Sequence, residues 1–237
     1  YVGVVGNATM NLTSGGTIDS NKLNNYGHVR DYAVEVVGGT LNATDVNIIG
    51  EVKANNEGNI VINGGTITAV PYVGEESYAE HTFLRAFSGA SITVDNGAVI
   101  KSNVGAEKGG HVVINNSTLE DAEGHNGDGG VYAEGTGSVL EINNTPTSND
   151  GLYAWDGGSV NILNSNLTII EAIVGDVDSS LDKANADPLS IISINGSESN
   201  TYNFTTLEAF GNSEFTVKGG KVNAGYVGVV GNARMNL

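Results

Sequence analysis

The chain has 237 residues, with 10 basic against 27 acidic side chains, a formal net charge of −17, 34 glycines, three prolines and no cysteine. That charge repels phosphate backbones and anionic lipid, so nucleic acid is a poor partner, and the chain is not disulfide-built. No run of about 18 apolar residues is present to make a membrane-spanning helix, and the regular alternation of Val, Ile and Thr with polar residues argues against disorder. The first residues have neither the charged start nor the long apolar stretch of a signal peptide, so the sequence reads as an excised piece of a soluble protein. The absence of cysteine suits a secreted bacterial surface protein.

Residues 1–12 read Tyr-Val-Gly-Val-Val-Gly-Asn-Ala-Thr-Met-Asn-Leu. At Met10, Leu12 and Ile18 an apolar triplet begins to recur, here with one residue inserted. It returns with uniform spacing at Ile60, Ile62, Ile67; Ile92, Val94, Val99; Val112, Ile114, Leu119; Val160, Ile162, Leu167; and Phe215, Val217, Val222. At Leu140 and Ile142 the third member is interrupted by Pro146. Two apolar residues one apart share a face of a strand, and the gap holds residues that accept tight turns: Asn63-Gly64-Gly65, Asp95-Asn96-Gly97, Asn115-Asn116-Ser117 and Lys218-Gly219-Gly220. A second signature precedes several triplets at constant offset: Leu84-Arg85-Ala86-Phe87, Leu152-Tyr153-Ala154-Trp155 and Leu207-Glu208-Ala209-Phe210. Each unit therefore predicts three short strands and two turns in roughly 20 to 25 residues, the pattern of one coil of a parallel β-helix. Recurrent glycine pairs speak against helices, since each interior glycine costs about 1 kcal/mol there. Residues 171–188 break the pattern and read as an insertion loop with room for a short helix.

The chain ends as it began. Residues 226–237 repeat residues 1–12 with one change, Thr9 against Arg234, at an offset of 226 − 1 = 225. This predicts tandem 225-residue blocks of about nine coils each, advancing roughly 43 Å at about 4.8 Å per coil. The expected stacking surface is Tyr1, Val2 and Val4 at one end and Tyr226, Val227 and Val229 at the other, and the expected partner is another copy, within one chain or head to tail between chains.

Other residues point to ligands. Asp128 and Asp150 each precede a matching strand, 131–133 and 152–154, which predicts neighbouring coils. Such a pair suits Ca²⁺, glycoside hydrolysis or plain turn chemistry. If Leu152 and Ala154 point inward, Tyr153 and Trp155 point outward, with Tyr132 one coil away and Asp156 beside them. That makes a glycan-stacking platform or a packed surface cluster. His28, His81, His111 and His125 lack the spacing of a zinc site. Asn residues at the turns could stack as amide ladders.

The units at residues 64–69 (Gly-Gly-Thr-Ile-Thr-Ala), 157–162 (Gly-Gly-Ser-Val-Asn-Ile) and 151–155 (Gly-Leu-Tyr-Ala-Trp) resemble right-handed parallel β-helix passenger regions of bacterial autotransporter and related surface adhesins. The resemblance implies an extracellular stalk or adhesin that binds cells, matrix or glycan and has no catalytic centre. The same superfold includes polysaccharide lyases and glycoside hydrolases, the alternative activity. Together these readings predict a single right-handed parallel β-helix over residues 1–237, forming an elongated rod or filament on a bacterial surface, with no membrane insertion in this segment.

Overall fold

A computed structural model describes residues 1–20, 32–69, 83–121, 130–176 and 187–237. Among them no helix occurs, and every strand pairing is parallel. The chain winds as a parallel β-helix with three faces. The first coil is typical: Val2–Val5 lies on the first face, Thr9–Thr13 on the second and Thr17–Asp19 on the third. Later coils occupy residues 32–49, 51–68, 83–101, 103–120, 131–148, 151–169, 171–204 and 206–224, and a tenth opens at 226–236. The second face is a continuous 10-stranded sheet with one strand per coil. The first and third faces fuse into one sheet because Thr147–Trp155, Leu167–Val174, Thr201–Phe210 and Lys221–Val230 each run around the corner between them. Nine coils thus separate Tyr1 from Tyr226, as the 225-residue offset predicts.

Inside, like stacks on like. Along the second face Ile62, Val94, Ile114, Ile142, Ile162 and Ile194 form one buried column, and on the third face Ile48, Ile67, Ile100 and Leu119 form another. Burying each such side chain contributes about 1.5–3 kcal/mol, and the parallel ladder satisfies the backbone of every interior coil. The turn after the second face has a specific demand. Asp45, Asn96, Asn116, Asn144 and Asn164 all take φ between 45° and 61° there, and Gly64 takes 71°. Only glycine, or a short polar side chain able to bond locally, holds that conformation cheaply, which is why the gap of the triplet is rich in Asn, Asp and Gly. Amide ladders follow on the outside: Asn42 Nδ2 donates to Asn11 Oδ1 at 2.8 Å, Asn143 to Asn115 at 3.0 Å and Asn223 to Asn203 at 2.7 Å.

Three expectations change. In the coil at 83–101 the inward residue is Ile100, in register with Ile67 and Leu119, while Val99 is only half-buried. The turn there holds one extra residue, which a fixed spacing cannot see. After Leu140 and Ile142 the third-face position belongs to Thr147, buried, with its Oγ1 donating to the Thr145 carbonyl at 3.1 Å. The break expected at 171–188 starts later: Glu171 to Val174 lie in the strand Leu167–Val174, where Ala172 and Val174 continue the inward columns of the first face. Residues 177–186 lie outside the described residues.

Candidate functional site

The three outer faces differ in chemistry. Residues opposing one another on the second face are mainly Thr, Asn, Ser and Val, as in Thr9, Thr40, Asn59 and Ser91, a row that continues to His111. The first face instead carries the outward aromatic side chains of the described residues: Tyr1, Tyr32, Phe87, Tyr132, Tyr153, Trp155, Phe210 and Tyr226. Alternation along the strand explains their direction, since Leu84 and Ala86, Leu152 and Ala154, and Leu207 and Ala209 are all buried.

Tyr132, Tyr153 and Trp155 come together as the strand arithmetic requires. Tyr132 is in register with Tyr153, and Glu134 with Trp155. The Tyr132 and Trp155 rings stack at 5.6 Å with 3° between their planes, and Tyr153 meets Trp155 at 5.4 Å, tilted by 50°. All three are half-buried. Their polar edges are engaged as well: the Tyr132 hydroxyl donates to Glu107, the Tyr153 hydroxyl to Glu171 at 3.2 Å, and the Trp155 indole N–H to Glu134. Glycines make room for the rings, because a Cβ on Gly105 would lie 2.4 Å from Tyr132 Cζ and one on Gly151 would lie 2.1 Å from Tyr153 Cε2.

Next to this cluster runs a charged ladder. Arg85 Nε sits 2.6 Å from Glu51 Oε1, and its Nη1 lies 3.9 Å from Glu107 Oε1. Burial would lower the Arg85 pKa, but Glu51 and Glu107 outweigh it and hold the guanidinium charged, which unsuits it to act as a base. Burial and the neighbouring Glu107 carboxylate push the Tyr132 phenol up. Burial and Glu107 likewise raise Glu134, against the Trp155 donor. Phe87, one coil from Glu107, lies beneath cations: Lys108 Nζ is 4.6 Å from its ring centroid and Lys53 Nζ 6.0 Å, while Lys53 also lies 4.9 Å from the Tyr32 ring.

Asp156 is exposed, and its neighbours are not legible from sequence spacing. A carboxylate oxygen of each of Asp156, Asp176 and Asp187 lies within 4.8 Å of the others, an arrangement of hard oxygen donors that could hold a divalent cation. Asp176 and Asp187 stand on either side of residues 177–186, which lie outside the described residues, and no repeat arithmetic could place the two beside Asp156. Asp150 is half-buried at the corner of Thr147–Trp155. Asp128, its expected partner, lies outside the described residues, as do His28, His81 and His125. His111 Nε2 lies 3.3 Å from Glu141 Oε1.

At the two ends, Tyr1, Tyr226, Val227 and Val229 are exposed. Val2 is half-buried and Val4 is fully covered, because the next coil closes over it at Gly39, where an added Cβ would stand 2.8 Å from Val4 Cγ1. Of the expected stacking residues, Val4 therefore presents only its backbone edge. Compared with protein-family models, curated proteins and solved structures, the chain matches none.

Proposed function

We propose that this chain is a structural segment of an elongated extracellular rod, extended by stacking copies of the 225-residue block along the solenoid axis, with an adhesive role at a bacterial surface. One observation carries the reading. The sequence repeat and the coil repeat coincide, so that Tyr1 and Tyr226 begin equivalent first-face strands nine coils apart. A second block would then need no new junction, because the segment that ends one block already has the register of the segment that begins it. The resemblance to surface adhesins and the acidic, cysteine-free composition support the location. Many weak contacts repeated along such a rod would gain avidity from effective concentration.

The test is a two-block chain, residues 1–225 followed directly by residues 1–237, studied by electron microscopy and small-angle scattering. The expected object is one uninterrupted rod of constant width with a block spacing of roughly 43 Å at about 4.8 Å per coil. Two compact bodies joined by a hinge would refute the proposal.

Glycan binding on the first face is a second reading, favoured by the segregation of aromatic side chains to that face. A glycan array should then show retention that falls at least tenfold in Trp155→Ala and is indifferent to changes on the second face, such as Thr93→Ala.

A further inference from the structure

Three acidic side chains meet where the first face turns into the second. Asp156 follows the strand Thr147–Trp155, Asp176 follows Leu167–Val174 one coil on, and Asp187 stands shortly before the strand Ser190–Asn195. Ala154 is in register with Val174, and the ladder runs one step further, with the Gly175 N–H donating to the Ala154 carbonyl at 2.8 Å. Asp156 and Asp176 therefore lie side by side on neighbouring coils. Asp187 is held near them by its backbone. Its carbonyl accepts from Asn212 Nδ2 at 3.0 Å, and the next residue, Pro188, packs on Gly157, where an added Cβ would stand 2.8 Å from Pro188 Cβ. One carboxylate oxygen from each of the three lies within 4.8 Å of the others. That span is twice the usual Ca²⁺–oxygen distance of about 2.4 Å, the farthest apart that two ligands of one ion can stand.

Closeness alone would be a liability, because like charges repel. Among the described residues no Lys, Arg or His is ion-paired with Asp156 or Asp187. A second observation points to a ligand. Two buried oxygens at this corner have no hydrogen-bond partner among the described residues: Oδ2 of Asp187 itself, and Oγ of Ser213, which is 1% exposed. Ser213 Oγ lies 3.2 Å from where a Cβ on Gly175 would stand, beside Asp176. Ser190, in register with Ser213, uses its own Oγ to accept the Gly157 N–H at 3.0 Å, so an idle hydroxyl is not the rule in this column. A buried carboxylate oxygen with neither donor nor cation is costly, and a bound metal ion removes that cost.

We propose that Asp156, Asp176 and Asp187 bind one Ca²⁺, beside the Ser213 hydroxyl. Ca²⁺ accepts about six to eight oxygens in flexible geometry, so water and backbone carbonyls complete the shell, whereas Mg²⁺ demands a near-ideal octahedron. The ion ties two successive coils to the point where the chain enters the second face again, and so locks this corner. With one carboxylate exposed and two half-buried, the affinity belongs in the range of extracellular modules, Kd about 10⁻⁴–10⁻³ M. The site stands independently of the rod reading.

The test uses the full 237-residue chain and Tb³⁺, a luminescent stand-in for Ca²⁺. Trp155, the single tryptophan, immediately precedes Asp156 and is the sensitising donor. Excitation of the indole should give Tb³⁺ emission that saturates at one ion per chain and is displaced by Ca²⁺. Asp187→Asn should weaken binding at least tenfold, and so should Asp156→Asn, a side chain that still accepts the φ of 51° found there. Glu198→Gln, exposed and away from the cluster, should change it less than twofold. Equal losses in all three variants would mean a diffuse counter-ion cloud around a chain of net charge −17 and would overturn the site. Mg²⁺ displacing Tb³⁺ as well as Ca²⁺ does would overturn the choice of ion. Thermal melting gives a readout without Tb³⁺. Ca²⁺ at a hundredfold excess over Kd should raise the melting temperature by at least about 5 °C over the chain in EDTA. Asp187→Asn, checked for folding by circular dichroism, should lose that rise, and a rise of equal size in this variant would refute the proposal.

Discussion

Tyr132 and Trp155, on neighbouring coils, lie face to face with 3° between their planes, and the Tyr132 ring reaches that position by lying across Gly105 of the coil before it. A side chain at position 105 would compete with the ring for the same space. Gly105→Ala should therefore displace Tyr132, shift the emission of Trp155, which is the single tryptophan, and cost about 1–3 kcal/mol, the usual range for overpacking. Unchanged fluorescence and an unchanged melting temperature would show that the ring does not rest there.

Ile114 stands fully buried in the longest isoleucine-rich column, between Val94 and Ile142. Ile114→Ala should destabilise by about 2–5 kcal/mol in denaturant titration. Ile170→Ala, at a position 56% exposed, should stay within about 0.5 kcal/mol. Equal effects at the two positions would contradict the inward and outward assignment of the strands.

Tyr202 is fully buried, and among the described residues its hydroxyl has no hydrogen-bond partner. A hydroxyl stranded in this way costs about 1–3 kcal/mol. Tyr202→Phe should leave stability unchanged or raise it by about 1 kcal/mol, and a loss of that size in thermal melting would mean that the hydroxyl is bonded after all.

Glu134 carries a raised pKa through burial and the nearby Glu107 and Asp156. The folded state therefore holds this proton more tightly than the unfolded chain does. Its contribution to stability is fully present below the unfolded pKa and is lost as pH rises through the folded one. Glu134→Gln keeps an acceptor for the Trp155 indole but removes the charge. Its melting temperature should exceed that of the parent chain at pH 7 to 8, and the gain should vanish near pH 4, where both chains are neutral at this position. A difference that does not change with pH would rule out the electrostatic account.

The coil architecture was legible because it rests on short-range rules: two inward residues one apart, a left-handed turn residue, and a third inward residue. Where the turn absorbs an additional residue, as before Ile100, the same rules point to Val99, because spacing counts residues and cannot see how a turn spends them. The aromatic cluster was legible for the same reason, since alternation puts Tyr153 and Trp155 outward and the coil period puts Tyr132 beside them. The partners of these residues were not. Glu107 reaches Tyr132 from the preceding coil and Glu171 reaches Tyr153 from the following one, so finding them requires the register between coils. Asp187 joins Asp156 across a stretch whose path no repeat dictates.

The described coils pair only with the coil before and the coil after. A pull along the axis is therefore carried in series, and the load is concentrated on whichever interface is weakest, whatever the total size of the core. Lengthening such a rod adds reach without adding breaking strength. The first interfaces to yield under tension should be those with the fewest inward side chains, so toughness is set coil by coil.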